Sequence, residues 1–164
     1  MTPRGTLGLL GLAAVLVAYL LLVPAPAPPP LPESLLAAPV ESIDALDVTW
    51  PDASVRVRRA EDGWRSDGGV TVAPDAIRDL LGTLATLRPT ETLRGSDLGD
   101  YGLDARATKL VVGASGVTVL EMQIGDRNPA WTGVYVRRSG SNEVLVVGAL
   151  LHWELEKLHA MATR

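Results

Sequence analysis

The chain has no cysteine and no phenylalanine, and only two lysines, Lys109 and Lys157, among its 164 residues. Without a thiol there is no disulfide, no cysteine nucleophile, no zinc ribbon and no iron–sulfur cluster. Lipid attachment through an N-terminal cysteine is excluded for the same reason. The missing phenylalanine, beside abundant Ala, Leu, Arg and Gly, reads as base composition rather than function. Clustered positive charge is also scarce. Arg56, Arg58 and Arg59 form the one dense basic group, and acids flank it. From Glu33 onward 14 basic residues stand against 19 acidic ones, a balance of −5. Nucleic acid is therefore not an expected partner, because phosphate binding needs a basic surface.

A third absence is charge between Gly5 and Val23. "GTLGLLGLAAVLVAYLLLV" is 19 residues without an ionisable acid or base. As a helix it is about 30 Å long, the thickness of a hydrocarbon core. It has no polar stripe of the kind a buried core helix shows. Arg4 precedes it and no Lys or Arg follows until Arg56, so the positive-inside tendency orients the N-terminus in the cytoplasm. A cleaved signal peptide is the rival reading. Its apolar region is shorter, however, and here the small-x-small triplet Ala25–Ala27 is followed by Pro28. "PAPAPPPLPES" then holds the chain extended as a semi-rigid spacer. The expected organisation is a cytoplasmic 1–4, a transmembrane helix 5–23, a proline-rich linker 24–39 and an extracytoplasmic domain 40–164, in a single-pass inner-membrane protein.

The remainder alternates apolar and polar residues between turns, the mark of half-buried strands. Ile43, Leu46 and Val48 face inward in the first strand, with an irregularity near Ala45. Val55 and Val57 follow, then a turn from which Trp64 folds back, and "GGVTV" is strand-like. The period changes in "PDAIRDLLGTLATL". Ile77, Leu80, Leu81, Leu84 and Leu87 share one helical face, Pro74 suits the first position, and Asp75 and Asp79 favour the N-terminal end. Gly82 weakens that helix and is expected to admit a close strand. "TKLVVGASGVTVLEMQIG" reads as a hairpin with Leu110 and Val112 on one arm and Val117, Val119, Met122 and Ile124 on the other. "WTGVYVRR" and "NEVLVVG" form another pair. The tail is an amphipathic helix with Leu151, Leu155, Leu158 and Ala162 on one face. The expected fold class is α+β, an antiparallel β-sheet with one central amphipathic helix and a C-terminal helix, preceded by a single N-terminal transmembrane helix.

Four groups of residues invite a chemical reading. Ser115 in "VVGASGV" misses the G-x-S-x-G elbow by one residue and sits between strands, whereas the elbow needs strand–turn–helix. His152, Glu156 and His159 share a helical stripe, but they are expected beside the apolar face rather than in a cleft, with no fourth metal ligand. In "SDLGDYGLDA", Asp97, Asp100 and Asp104 lack the alternation and closing glutamate of a calcium loop. Asp126 and Asn128 join them only if the fold brings them across. Turn chemistry is the simpler account, with Tyr101 and Leu103 buried, Gly102 relieving the backbone and the carboxylates outside. Trp50, Trp64, Trp131 and Trp153 form either a carbohydrate-stacking platform or, as expected for a domain without phenylalanine, large core fillers.

The succession "DGW", "DAIRDLLGTLATL", "DLGDYGLDA", "IGDRNPAWTGVYVR" and "EVLVV" resembles the bacterial domain of unknown function 4340 over about Ser42 to Val147. Ala105 and Arg106 stand where that family usually has proline soon after "GLD". The resemblance implies an envelope-associated domain, of a kind that often accompanies ABC-2 type exporters and gliding-type transport systems. It implies no catalytic residue. The expectation is a membrane-anchored, non-enzymatic protein-interaction domain with an envelope or transporter partner. The alternative is a glycan- or cation-binding envelope module. No residue is assigned a catalytic, cofactor-binding or metal-ligating role, and no cofactor is expected.

Overall fold

Alternation decides the strands, and the computed structural model, which describes residues 33–61, 63–67, 72–94 and 97–163, shows eight of them. They are β1 (Ile43–Thr49), β2 (Ser54–Ala60), β3 (Gly63–Ser66), β4 (Glu91–Leu93), β5 (Thr108–Ala114), β6 (Val117–Arg127), β7 (Gly133–Arg138) and β8 (Val144–Gly148). All pair antiparallel in one sheet ordered β3-β2-β1-β5-β6-β7-β8-β4. Two helices accompany the sheet, α1 (Pro74–Thr86) and α2 (Leu150–Ala162). The domain is therefore α+β, as the pattern implies. The apolar block 5–23, the stretch 24–32 and most of "GGVTV" lie outside the described residues. Among the described residues no helix is long and apolar enough to cross a membrane.

Helix α1 explains the strand order. The chain leaves β3 at one edge of the sheet and enters β4 at the other, and α1 lies between them in sequence. Its stripe Ile77, Leu80, Leu81 and Leu84 is almost fully buried in the core, with Leu87 just past its end. Each such side chain contributes about 1.5–3 kcal/mol on burial. Leu151, Leu155 and Leu158 of α2 complete the same core, and Lys157 Nζ reaches Asp79 Oδ2 of α1 at 3.2 Å.

Three expectations need correction. Gly82 admits no strand: a Cβ built there meets nothing within 4 Å, and the residue faces solvent. Val117 is not buried. The register of β5 and β6 shifts between Val112 and Gly113, so Leu120 pairs with Val112 and Thr118 with Gly113, leaving Val119 as the extra residue. That bulge shifts the alternation by one residue, so Leu120 is buried opposite Val112, while Val117, opposite Ala114 at the turn end of the hairpin, is 65% exposed. The folded unit also begins earlier than position 40. Leu35 and Leu36 are in the core. The Leu35 amide donates to Leu87 O at 2.9 Å, Ser34 Oγ to Ala85 O at 2.8 Å, and Arg138 Nη2 to Leu35 O at 2.9 Å.

Other expectations hold. Ile43, Leu46 and Val48 are buried, and the register with β5 breaks between Ile43 and Ala45. The β5–β6 turn is the two-residue Ser115–Gly116, both at positive φ (53° and 77°), the primed geometry that matches strand twist. Arg58 pairs with Asp47 on the neighbouring strand through both guanidinium nitrogens, the Nη2–Oδ2 distance being 3.1 Å. That hydrogen bond raises the Arg58 pKa.

Candidate functional site

The segment Asp97–Ala107 connects β4 to β5 and carries the first sequence-selected acids. Residues Leu98–Tyr101 form a single 3-10 turn, and Asp97 caps it by accepting from the Gly99 amide at 2.9 Å. Gly102 ends the turn in the left-handed region at φ 65°, a conformation glycine adopts without strain. Asp104 accepts from the Arg106 amide at 2.9 Å and from its Nε and Nη2 at 3.1 and 3.0 Å. Those bonds, led by the side-chain pair, hold the Asp104 carboxyl below the usual carboxylate range and raise Arg106. Arg106 thus closes the loop by an ion pair with Asp104.

The three aspartates stay outside, and no group of three metal-ligating side chains gathers among the described residues. Leu103 is buried. Tyr101 is only half-buried, against expectation, because its ring edge packs on Tyr135 of β7 with centroids 4.9 Å apart rather than entering the core. Asp126 does approach the loop: a Cβ on Gly102 would sit 2.5 Å from Asp126 Cγ. Asn128 instead organises its own turn. Its Oδ1 accepts from the Thr132 and Gly133 amides, each at 3.0 Å, and its Nδ2 donates to Thr132 Oγ1 at 3.1 Å.

The histidine stripe does line a cleft, contrary to the sequence reading. Trp50 after β1, Gly102 and Arg106 of the loop, Asp126 of β6, and His152, Glu156 and His159 of α2 border a cavity of about 270 Å³. Each histidine is occupied within the chain. His159 Nε2 lies 3.0 Å from Asp52 Oδ1, and its ring is 5.0 Å from that of Trp50. His152 Nε2 lies 3.0 Å from Glu156 Oε1, within ion-pair reach but not aligned for a hydrogen bond. Ser115 is remote from this group. Its amide donates to Asp44 at the start of β1, whereas His159 meets Asp52 beyond the end of that strand. About seven extended residues, on the order of 23 Å, separate the two ends.

The tryptophans divide. Trp50 and Trp64 pack half-buried against the core, as core fillers should. Trp131 and Trp153 do not: they are 66% and 55% exposed. Between them lies the Arg127 guanidinium, 3.9 Å from the Trp131 ring centroid and 5.4 Å from that of Trp153. Trp131 is held in a left-handed backbone, φ 60°, by the Asn128 turn. Neither hydropathy nor spacing signals this arrangement. Trp131 follows Arg127 by four residues in a turn rather than a helix, and Trp153 arrives from a separate element.

Fold and surface together define an antiparallel-sheet α+β domain with a mixed-charge cleft and an exposed tryptophan–arginine stack. Residues 64–160 match the model of the domain of unknown function DUF4340, and the chain belongs to that family. No curated protein and no solved structure matches it.

Proposed function

We propose that this protein is a membrane-anchored extracytoplasmic domain that binds another envelope protein, as an accessory component of an ABC-type export or related envelope machinery. The observation that carries the reading is the stack of Trp131, Arg127 and Trp153, two large indoles left in solvent around one guanidinium. Trp and Arg are the side chains most enriched where protein interfaces concentrate their affinity. The uncharged block Gly5–Val23 supports anchorage, and the lone Arg4 before it supports an N-terminus in the cytoplasm. The proline-rich linker supports a domain held off the bilayer. The export setting rests on the company that the family resemblance implies. The reading assigns no catalysis and no cofactor.

Anchorage and side are tested by alkaline extraction of membranes and by protease treatment of intact and opened cells. Retention in the extracted membrane, with a C-terminal tag cleaved from the outer side, is expected. A tag that is cleaved only after the cytoplasm is opened contradicts the reading.

The cleft favours a second reading, a glycan-binding module. Trp50 offers a ring, and Asp126, Glu156 and Arg106 offer polar partners around about 270 Å³. Titration with cell-wall oligosaccharides tests it: a raised melting temperature that Trp50→Ala abolishes favours the glycan, and an unchanged one removes it.

A further inference from the structure

The stack is a built feature, and its geometry limits what covers it. The Asn128 side chain fixes the turn that carries Trp131, through bonds to Thr132 and Gly133. The Ala149 amide donates to Thr132 O at 3.2 Å, tying that turn to the start of α2. One turn into α2, Leu150 and Trp153 stand three residues apart on one side of the helix, Leu150 being 57% exposed. Arg127, Trp131, Trp153 and Leu150 thus form one surface whose parts are pinned before anything binds.

Arg127 supplies the charge argument. Among the described residues it meets two indole faces and no carboxylate. Arg58, Arg78 and Arg106, by contrast, are each paired with an aspartate. Stacked between rings, the planar guanidinium keeps an edge of donors for a bidentate acceptor. A covering surface without an anion would leave those donors unmet when water is expelled.

We propose that this surface docks a partner-protein segment in which one Asp or Glu is flanked by apolar side chains. The carboxylate takes the edge of Arg127, and the apolar neighbours cover Trp131, Trp153 and Leu150. An anionic bilayer is the weaker occupant. Attraction to it grows with the number of basic residues, whereas this surface has one unpaired arginine on a part of the chain with 14 basic and 19 acidic residues. A single carboxylate, in contrast, is matched by a single guanidinium. The inference rests on the protein-binding reading above and names the chemistry of its partner.

The test uses the full-length, membrane-integrated chain with photoreactive benzoyl-phenylalanine in place of Leu150, which leaves the stack intact. Irradiation in cells is followed by mass mapping of the adduct. The expected adduct is on another protein, at a segment with an acid among apolar residues. Arg127→Gln lowers its yield at least tenfold, and Arg127→Glu with the mapped acid changed to Lys restores it. If Arg127→Gln lowers the melting temperature, Trp153→Ala replaces it, with the same tenfold loss expected. An adduct with lipid, with a second copy of this chain, or with a segment lacking an acid overturns the proposal. So does an unchanged yield in both variants, or no adduct at all. The same probe at exposed Thr92 on the edge strand β4 separates the two readings. A protein adduct there, with none at Leu150, removes this docking site and leaves the protein-binding reading standing.

Discussion

Gly125 of β6 passes so close to Tyr101 that a Cβ added to it would lie 2.1 Å from the Tyr101 carbonyl oxygen and 2.9 Å from the carbonyl carbon of Gly102. The loop Asp97–Ala107 is therefore locked backbone to backbone on the strand that leads to the tryptophan–arginine stack. What looks in the sequence like three acids around a ligand is a corner, and its rigidity comes from two glycines. Gly125→Ala is expected to cost about 1–3 kcal/mol, the range for forcing extra atoms into a packed site. Gly102→Ala adds positive φ to a clash with Asp126 and is expected to cost at least as much. Chemical denaturation of each variant reads both values. A loss under 0.5 kcal/mol at either position would contradict this account of the loop.

Gly82 gives the opposite outcome. It lies mid-helix in α1 with open space around it. Gly82→Ala should raise stability by about 0.5–1 kcal/mol, because glycine is the poorer helix former. A lower denaturation midpoint would show that the position is crowded after all.

The N-terminal boundary is set by packing rather than composition. Leu35 and Leu36 lie in the core cluster, although the proline-rich stretch before them reads as linker. Leu36→Ala is expected to cost about 2–5 kcal/mol, as for other buried leucines. A chain starting at position 40 should lose more and melt lower than one starting at Glu33. Equal melting temperatures for the two would refute the boundary.

Asp104 carries a pH signature. Its pKa is depressed in the fold, chiefly by the Arg106 side chain. A depressed carboxylate contributes stability that is present above its unfolded pKa, about 3.9, and is lost as pH falls through the folded value. In Arg106→Gln the carboxyl carbon of Asp104 should titrate higher than in the wild type, as read by NMR. The stability difference between the two proteins should shrink as pH falls through that range. Identical titration curves would show the pair to be open in solution.

Much of the fold is legible in the sequence because one period or the other runs cleanly through each element. Ile43, Leu46 and Val48 mark β1 even across its irregular pairing. Ile77 to Leu84 mark α1, and Leu151, Leu155 and Leu158 mark α2. The bulge at Val119 is not legible, because one extra residue reverses inside and outside without leaving any residue out of place in composition. Leu35 and Leu36 are hidden by the prolines beside them. The cleft is harder still: Trp50, Gly102, Asp126 and His152 are far apart in the chain and meet only through the antiparallel order β1-β5-β6 and the return of α2. Trp131 and Trp153 mislead in the other direction. A tryptophan in a domain without phenylalanine suggests core, but the Asn128 turn holds Trp131 outside, and Trp153 lies off the buried Leu151, Leu155 and Leu158 positions of α2.

The proposed function is that the domain is membrane-anchored and works by holding an envelope protein. The most direct measurement is affinity purification of the full-length chain from detergent extracts of crosslinked cells, quantified by mass spectrometry against an untagged strain. The account predicts one membrane-embedded transport or envelope protein enriched with the bait, and its enrichment reduced at least tenfold when Trp131 and Trp153 are both changed to Ala. Recovery of the bait alone, even after crosslinking, would contradict it.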